Sequence, residues 1–204
     1  MARREEYRRF DGTLSSSRKK DVILISPYTV EQFARALAPS LDARYFVGTA
    51  EVETNFAVNE IDTEESGFVS KGLYQISDEE NAKVNGTNRV ELLDPIQSTE
   101  TFYRLTKLRL RLCHEAGAIQ FPDIYAYLGL CHNEGDSAGP RSIKNYGCNW
   151  SRYKSRNLEN ATRLIHTASN PAELAKAEKE LGRVLRISRY GDACISGGSR
   201  YGAK

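Results

Sequence analysis

Three short stretches bring carboxyl, amide and imidazole side chains together with apolar neighbours: Glu51-Val52-Glu53-Thr54-Asn55-Phe56, Gly72-Leu73-Tyr74-Gln75-Ile76 and Cys131-His132-Asn133-Glu134-Gly135. Glu53 is the residue best suited to acid–base work. A carboxyl serves as a proton donor near neutral pH when its pKa is raised, which apolar burial and a helix C-terminus can bring about. Val52 and Phe56 flank Glu53 in a segment that reads as a helix end. Glu51, two positions away, points to a different face of such a helix and reads as solvated or as an ion-pair partner. Between the first two stretches lie Asp62, Glu64 and Glu65, a loop that can supply a second carboxylate or can simply be solvated. His132 stands in no carboxylate–serine or metal-ligand pattern. Cys113, Cys131, Cys148 and Cys194 contain no Cys-x-x-Cys pair, which argues against a zinc ribbon or a thioredoxin-type redox site.

The elements that hold these residues read as helices. Thr29-Val30-Glu31-Gln32 has the form of a capping box, followed by Val30, Phe33, Ala34 and Leu37 at helical spacing and by Pro39. Asp42 caps a helix expected over about 43–55, whose apolar face is Tyr45, Phe46, Thr49, Val52 and Phe56 and whose last turn delivers Glu53. Residues 57–71 read as a loop and 81–95 as irregular. A long helix is expected over Ser98 to about Ala116, and a shorter one from Pro122-Asp123-Ile124 through Leu130, before a Gly/Pro/Ser loop over 135–141. Asn170-Pro171-Ala172-Glu173 opens a last helix with Leu174, Ala177, Leu181, Val184 and Leu185 as its buried stripe. The fold class is therefore mainly α with few or no strands. One domain is expected over 21–190, after a basic N-terminal arm (1–20) and before a flexible tail (191–204).

Composition sets wider bounds. The chain has 204 residues, 40% hydrophobic and 27% charged, ordinary values for a globular protein with a real core. The formal charge of +2 does not call for nucleic acid as a partner, although the basic ends would suit an anionic polymer. No apolar run approaches the roughly 18 residues of a membrane helix. Val22-Ile23-Leu24-Ile25 is too short and too far from the start to be a signal-peptide core. The expectation is cytoplasmic synthesis with no signal peptide, and four free thiols rather than disulfides.

The three stretches, taken in order, make the sequence similar to goose-type lysozymes and soluble lytic transglycosylases, whose motifs read Glu-Ser-x-Phe, Gly-Leu-Met-Gln-Ile and Ala-Tyr-Asn-x-Gly. Glu53-Thr54-Asn55-Phe56 matches the first with Thr for Ser, and Gly72 to Ile76 matches the second with Tyr for Met. The third keeps only Asn133 and Gly135, with His132 in place of Tyr. Glu53 lies 19 residues before Gly72, as the corresponding residues do in goose-type lysozymes. The resemblance covers roughly residues 43–150 and implies a lysozyme-like helical domain with a substrate groove.

The resemblance implies cleavage of the N-acetylmuramic acid–N-acetylglucosamine bond of peptidoglycan, with Glu53 as general acid and no metal or organic cofactor. Gly72, Tyr74, Gln75, His132, Asn133 and Tyr146 would line the substrate site. Gln75 also has a purely structural reading, and Asn133 one as a helix-end cap before Gly135. An inverting hydrolase needs a second carboxylate about 6.5–9.5 Å from the acid to activate water, whereas a lytic transglycosylase uses the substrate's own hydroxyl. Ser66 and Ser77 stand where the relatives carry acids, so Asp62 or Glu65 becomes the candidate base. Chitin is the neighbouring substrate, and a non-enzymatic wall- or virion-binding module is the rival class. Action on the wall would require delivery by a phage or an injection machine. The sequence does not identify an inhibitor or immunity partner.

Overall fold

The computed structural model describes residues 21–63, 67–118 and 121–198. It is mainly helical with one small sheet, as the apolar spacing predicts. Two compact units divide the chain, Met1–Lys107 with Ser196–Lys204 and Leu108–Ile195. One boundary between these units falls inside a continuous helix, where no change of composition marks it. The N-terminal arm expected over 1–20 lies outside the described residues.

In the first unit, α1 (Pro27–Leu37) begins earlier than the Thr29 capping box suggests. Ser26 is the true cap. Its side chain accepts from the Thr29 amide, and Pro27 occupies the first turn, where a missing N–H costs nothing. Helix α2 (Ala43–Thr54) starts at the expected Asp42 cap and is buried on nearly every side. Arg44 is its exposed residue, and Glu51 and Glu53 are half-buried.

A three-stranded antiparallel sheet follows, β1 (Ile61–Thr63), β2 (Val69–Lys71) and β3 (Ile76–Ser77), in that order, with Asp62 opposite Ser70 and Ser70 opposite Ser77. These strands occupy much of the expected loop. At two or three residues each they are too short to show a period-2 pattern. Ser77 and Glu80 form a reciprocal capping box that opens α3 (Asp78–Asn85), in a stretch partly read as irregular. Helix α4 (Pro95–Glu115) starts at Asp94, whose carboxylate accepts from the Ile96 and Gln97 amides. The core of this unit is aromatic. Phe102 and Tyr74 stack with centroids 4.3 Å apart, Tyr45 stacks on Phe102 at 5.4 Å, and Phe46 meets both Tyr74 and Phe102 edge-on.

The second unit is built around α5 (Ile124–Glu134), whose residues Ile124 to Cys131 are all buried. Its sequence is apolar on all sides, as a central helix requires. Two further helices, α6 (Ala138–Tyr146) and α7 (Trp150–Thr167), replace the expected loop over 135–141 and the unassigned stretch after it. Asn149 caps α7 by accepting from the Arg152 amide. The last helix, α8 (Pro171–Ser196), opens at Asn170 as expected but runs into the region read as a tail, with Gly191 and Cys194 buried. Among the described residues no helix is long and apolar enough to cross a membrane.

Two glycines of α8 separate packing from intrinsic propensity. A Cβ on Gly191 would lie 2.1 Å from the Trp150 ring, whereas a Cβ on Gly182 would meet nothing within 4 Å. Gly191→Ala is therefore expected to destabilise the second unit by about 2 kcal/mol or more through overpacking. Gly182→Ala is expected to be neutral or stabilising by about 0.5–1 kcal/mol, from helix propensity. Urea unfolding followed by fluorescence of Trp150, the one tryptophan of the chain, checks both.

Candidate functional site

The residue after Glu53 determines how the candidate site is assembled. Thr54 ends α2, is fully buried, and shares its hydroxyl proton between the Ala50 carbonyl at 3.2 Å and the Leu73 carbonyl at 3.1 Å. The helix end that carries Glu53 is thereby tied directly to the Gly72-to-Ile76 turn. Two motifs separated in sequence become one piece of structure.

The chain leaves α2 by an unusual route. Asn55 and Phe56 both adopt left-handed backbone, with φ of 49° and 71°, and Gln75 does so in the facing turn, with φ of 48°. For a bulky residue such as Phe56 this conformation is a genuine outlier, costing about 1–3 kcal/mol and persisting only where the surroundings over-determine it. Here they do. The Asn55 amide donates to the Glu51 carbonyl at 2.9 Å, the Phe56 carbonyl accepts from the Ile25 amide at 3.1 Å, and the Phe56 ring is buried. Strain of this kind collects where a side chain must be held in one place.

Gly72 has a steric reason to be glycine. Its φ is +71°, and a Cβ there would lie 1.8 Å from the Leu92 carbonyl oxygen. Its amide donates to the Glu60 carbonyl at 2.8 Å. Gln75 braces the same turn, because its side-chain amide donates to the Gly72 carbonyl at 3.0 Å and its oxygen accepts from the Ser70 hydroxyl at 2.9 Å. Tyr74, expected at the substrate, lies instead in the core with 0% exposure, stacked on Phe102, and its phenol accepts from Thr99. Burial pushes that phenol well above its ordinary range, against the smaller opposing effect of the Thr99 bond. The reason for the correction is volume: the aromatic cluster of this unit is completed by a ring at position 74.

Of the two candidate bases, Asp62 lies half-buried on β1 opposite Ser70, and Glu65 lies outside the described residues. Glu60, in the same acidic stretch, is a further carboxylate. It precedes β1 and is only 5% exposed. Nothing in the composition around it distinguishes it from Glu64 or Glu65. Glu51 lies with its carboxylate against Gly198, and Gly197 lies against Arg44, so both glycines are buried on α2 rather than belonging to a loose tail.

His132, Asn133 and Tyr146 belong to the second unit. Arg109, only 1% exposed, donates to Asp136 at 2.8 Å and to His132 Nδ1 at 2.8 Å. Because a guanidinium can only donate, His132 Nδ1 accepts and the imidazole is held as one tautomer. Asn133 accepts from Arg186 at 2.9 Å, and Tyr146 sits edge-on to Tyr153. Among the described residues no group of three or more His, Cys, Asp or Glu side chains is arranged to hold a metal. No protein-family model, curated protein or solved structure matches the chain.

Substitutions at the junction test how it is held. Thr54→Val keeps shape but leaves the Leu73 carbonyl without its hydroxyl donor, and is expected to cost about 1–2 kcal/mol. Gly72→Ala must displace backbone and adopt a left-handed φ, and is expected to cost about 3 kcal/mol or more. Thermal and urea unfolding of the two variants check the order.

Proposed function

We propose that this protein is a muralytic glycosidase in which Glu53 protonates the leaving oxygen of the N-acetylmuramic acid–N-acetylglucosamine bond. The observation that carries the reading is the Thr54 hydroxyl bond to the Leu73 carbonyl. It joins a carboxylate-bearing helix end to a glycine turn at the edge of a small antiparallel sheet. The resemblance to goose-type lysozymes and lytic transglycosylases concerns these same two motifs, with their spacing.

In this reading the strained Asn55-Phe56 turn fixes where Glu53 sits, so that the acid need not reorganise as oxocarbenium character develops in the sugar. Asp62 is the candidate base on the described chain, with Glu60 beside it. Gln75 acts as a brace for the turn. The reaction requires no cofactor, and the partner is a glycan containing N-acetylglucosamine.

A second reading draws on the internal use of Gln75 and Tyr74. Two residues expected to touch sugar are occupied by the fold itself, which supports a degenerate, non-enzymatic binding or structural module.

The carboxamide substitution Glu53→Gln removes the proton donor while keeping its shape. It is expected to reduce clearing of purified peptidoglycan by about 10²–10⁴-fold with an unchanged circular dichroism spectrum. Glu51→Gln should retain clearing. Retained activity in a folded Glu53→Gln protein would sink the assignment. Equal glycan binding by both forms, with no turnover by either, would establish the binding module instead.

A further inference from the structure

In the second unit, Cys113 on α4 and Cys131 on α5 converge on one buried space. A Cβ built on Gly139 would lie 2.5 Å from the Cys131 sulfur and 3.3 Å from the Cys113 sulfur, so both sulfurs border the gap that this glycine leaves open. The Cys131 thiol donates to the Asp136 carbonyl at 3.4 Å. Cys194, on α8, meets the central helix elsewhere, its sulfur 2.7 Å from where a Cβ on Gly129 would sit. Cys113 and Cys131 are both thiols in this structure, and both are fully buried.

We propose that Cys113 and Cys131 are a disulfide-forming pair that closes when the chain meets an oxidising compartment, covalently joining α4 to α5. The inference does not depend on the glycosidase reading. The oxidant is a low-molecular-weight disulfide. One cysteine, as thiolate, attacks a sulfur of that disulfide and releases one small thiolate, giving a mixed disulfide. The second cysteine, as thiolate, attacks the protein-side sulfur and releases the other small thiolate. Two protons leave the cysteines and end on the two released thiols, and the two cysteines lose two electrons to the small disulfide.

The location gives the bond a consequence. Arg109 lies one helical turn before Cys113, and His132 directly follows Cys131, so the crosslink would span the Arg109, Asp136 and His132 cluster. A bond closing a loop of this size stabilises chiefly by constraining the unfolded chain. It would hold the end of α5 in place when the protein is exposed to wall or periplasm-like conditions.

The test uses the full chain, refolded from the reduced, unfolded state in a glutathione redox buffer that includes oxidised glutathione. Expected results are a fall from four titratable thiols to two on denaturation, a single disulfide-linked peptide containing Cys113 and Cys131, and a Tm higher by roughly 6–10 °C than the reduced protein. Cys148→Ser should still form the link, whereas Cys131→Ser should form none and show no Tm shift on oxidation. Persistence of four thiols, or a linked peptide that joins Cys148 or Cys194, would overturn the proposal.

Discussion

The hydroxyl of Thr54 is the interaction on which the candidate site rests. It reaches past its own helix to the Leu73 carbonyl and joins α2 to the Gly72-to-Ile76 turn. With α2 pinned to the turn, the chain must leave the helix sharply, and it does so through consecutive left-handed residues at Asn55 and Phe56. With the turn pressed against the Leu92 carbonyl, position 72 must be glycine. The buried rings of Tyr45, Phe46, Tyr74 and Phe102 supply the apolar mass that keeps this strained arrangement from relaxing. Glu53 is half-buried at the centre of these constraints, on a helix otherwise almost wholly hidden.

The second unit depends on a different device, a buried charge. Arg109 has its guanidinium in the interior, and such a group is tolerated only when paired and hydrogen-bonded. Asp136 supplies the carboxylate and His132 a ring nitrogen, so the end of α5 and the loop after it are held by α4. The same few residues contain the converging sulfurs of Cys113 and Cys131 and the glycine that makes room for them. Polar and apolar demands are satisfied in one place, and α5 can then be apolar on all sides.

Much of this was legible in the residues. The mainly α character, the Asp42 cap, the helix that delivers Glu53 and the Asn170-Pro171 helix start all follow from local chemistry that acts over a single turn. What could not be read depends on contacts made at a distance. Tyr74 looks like a binding residue until Phe102 stacks on it, and Gln75 looks like a sugar ligand until its amide closes on Gly72. Ser26 displaced the Thr29 capping box because Pro27 fixes the first turn earlier. The sheet strands are too short to show periodicity, and the unit boundary inside α4 has no sequence signature at all. Thr54 is the instructive case, since its type was visible as a variation of a motif but its role required Leu73 to be found nearby.

Glu53, held by this junction, is proposed to cleave a glycan. The most direct measurement is the mass of the products released when the wild-type protein acts on purified, N-acetylated peptidoglycan. Disaccharide-bearing muropeptides cut at the N-acetylmuramic acid–N-acetylglucosamine bond are expected. Ends carrying the added water would assign Asp62 or another carboxylate to its activation, and anhydro ends lighter by one water would assign that role to the substrate's own hydroxyl. Intact glycan strands after prolonged incubation with folded protein would contradict the account.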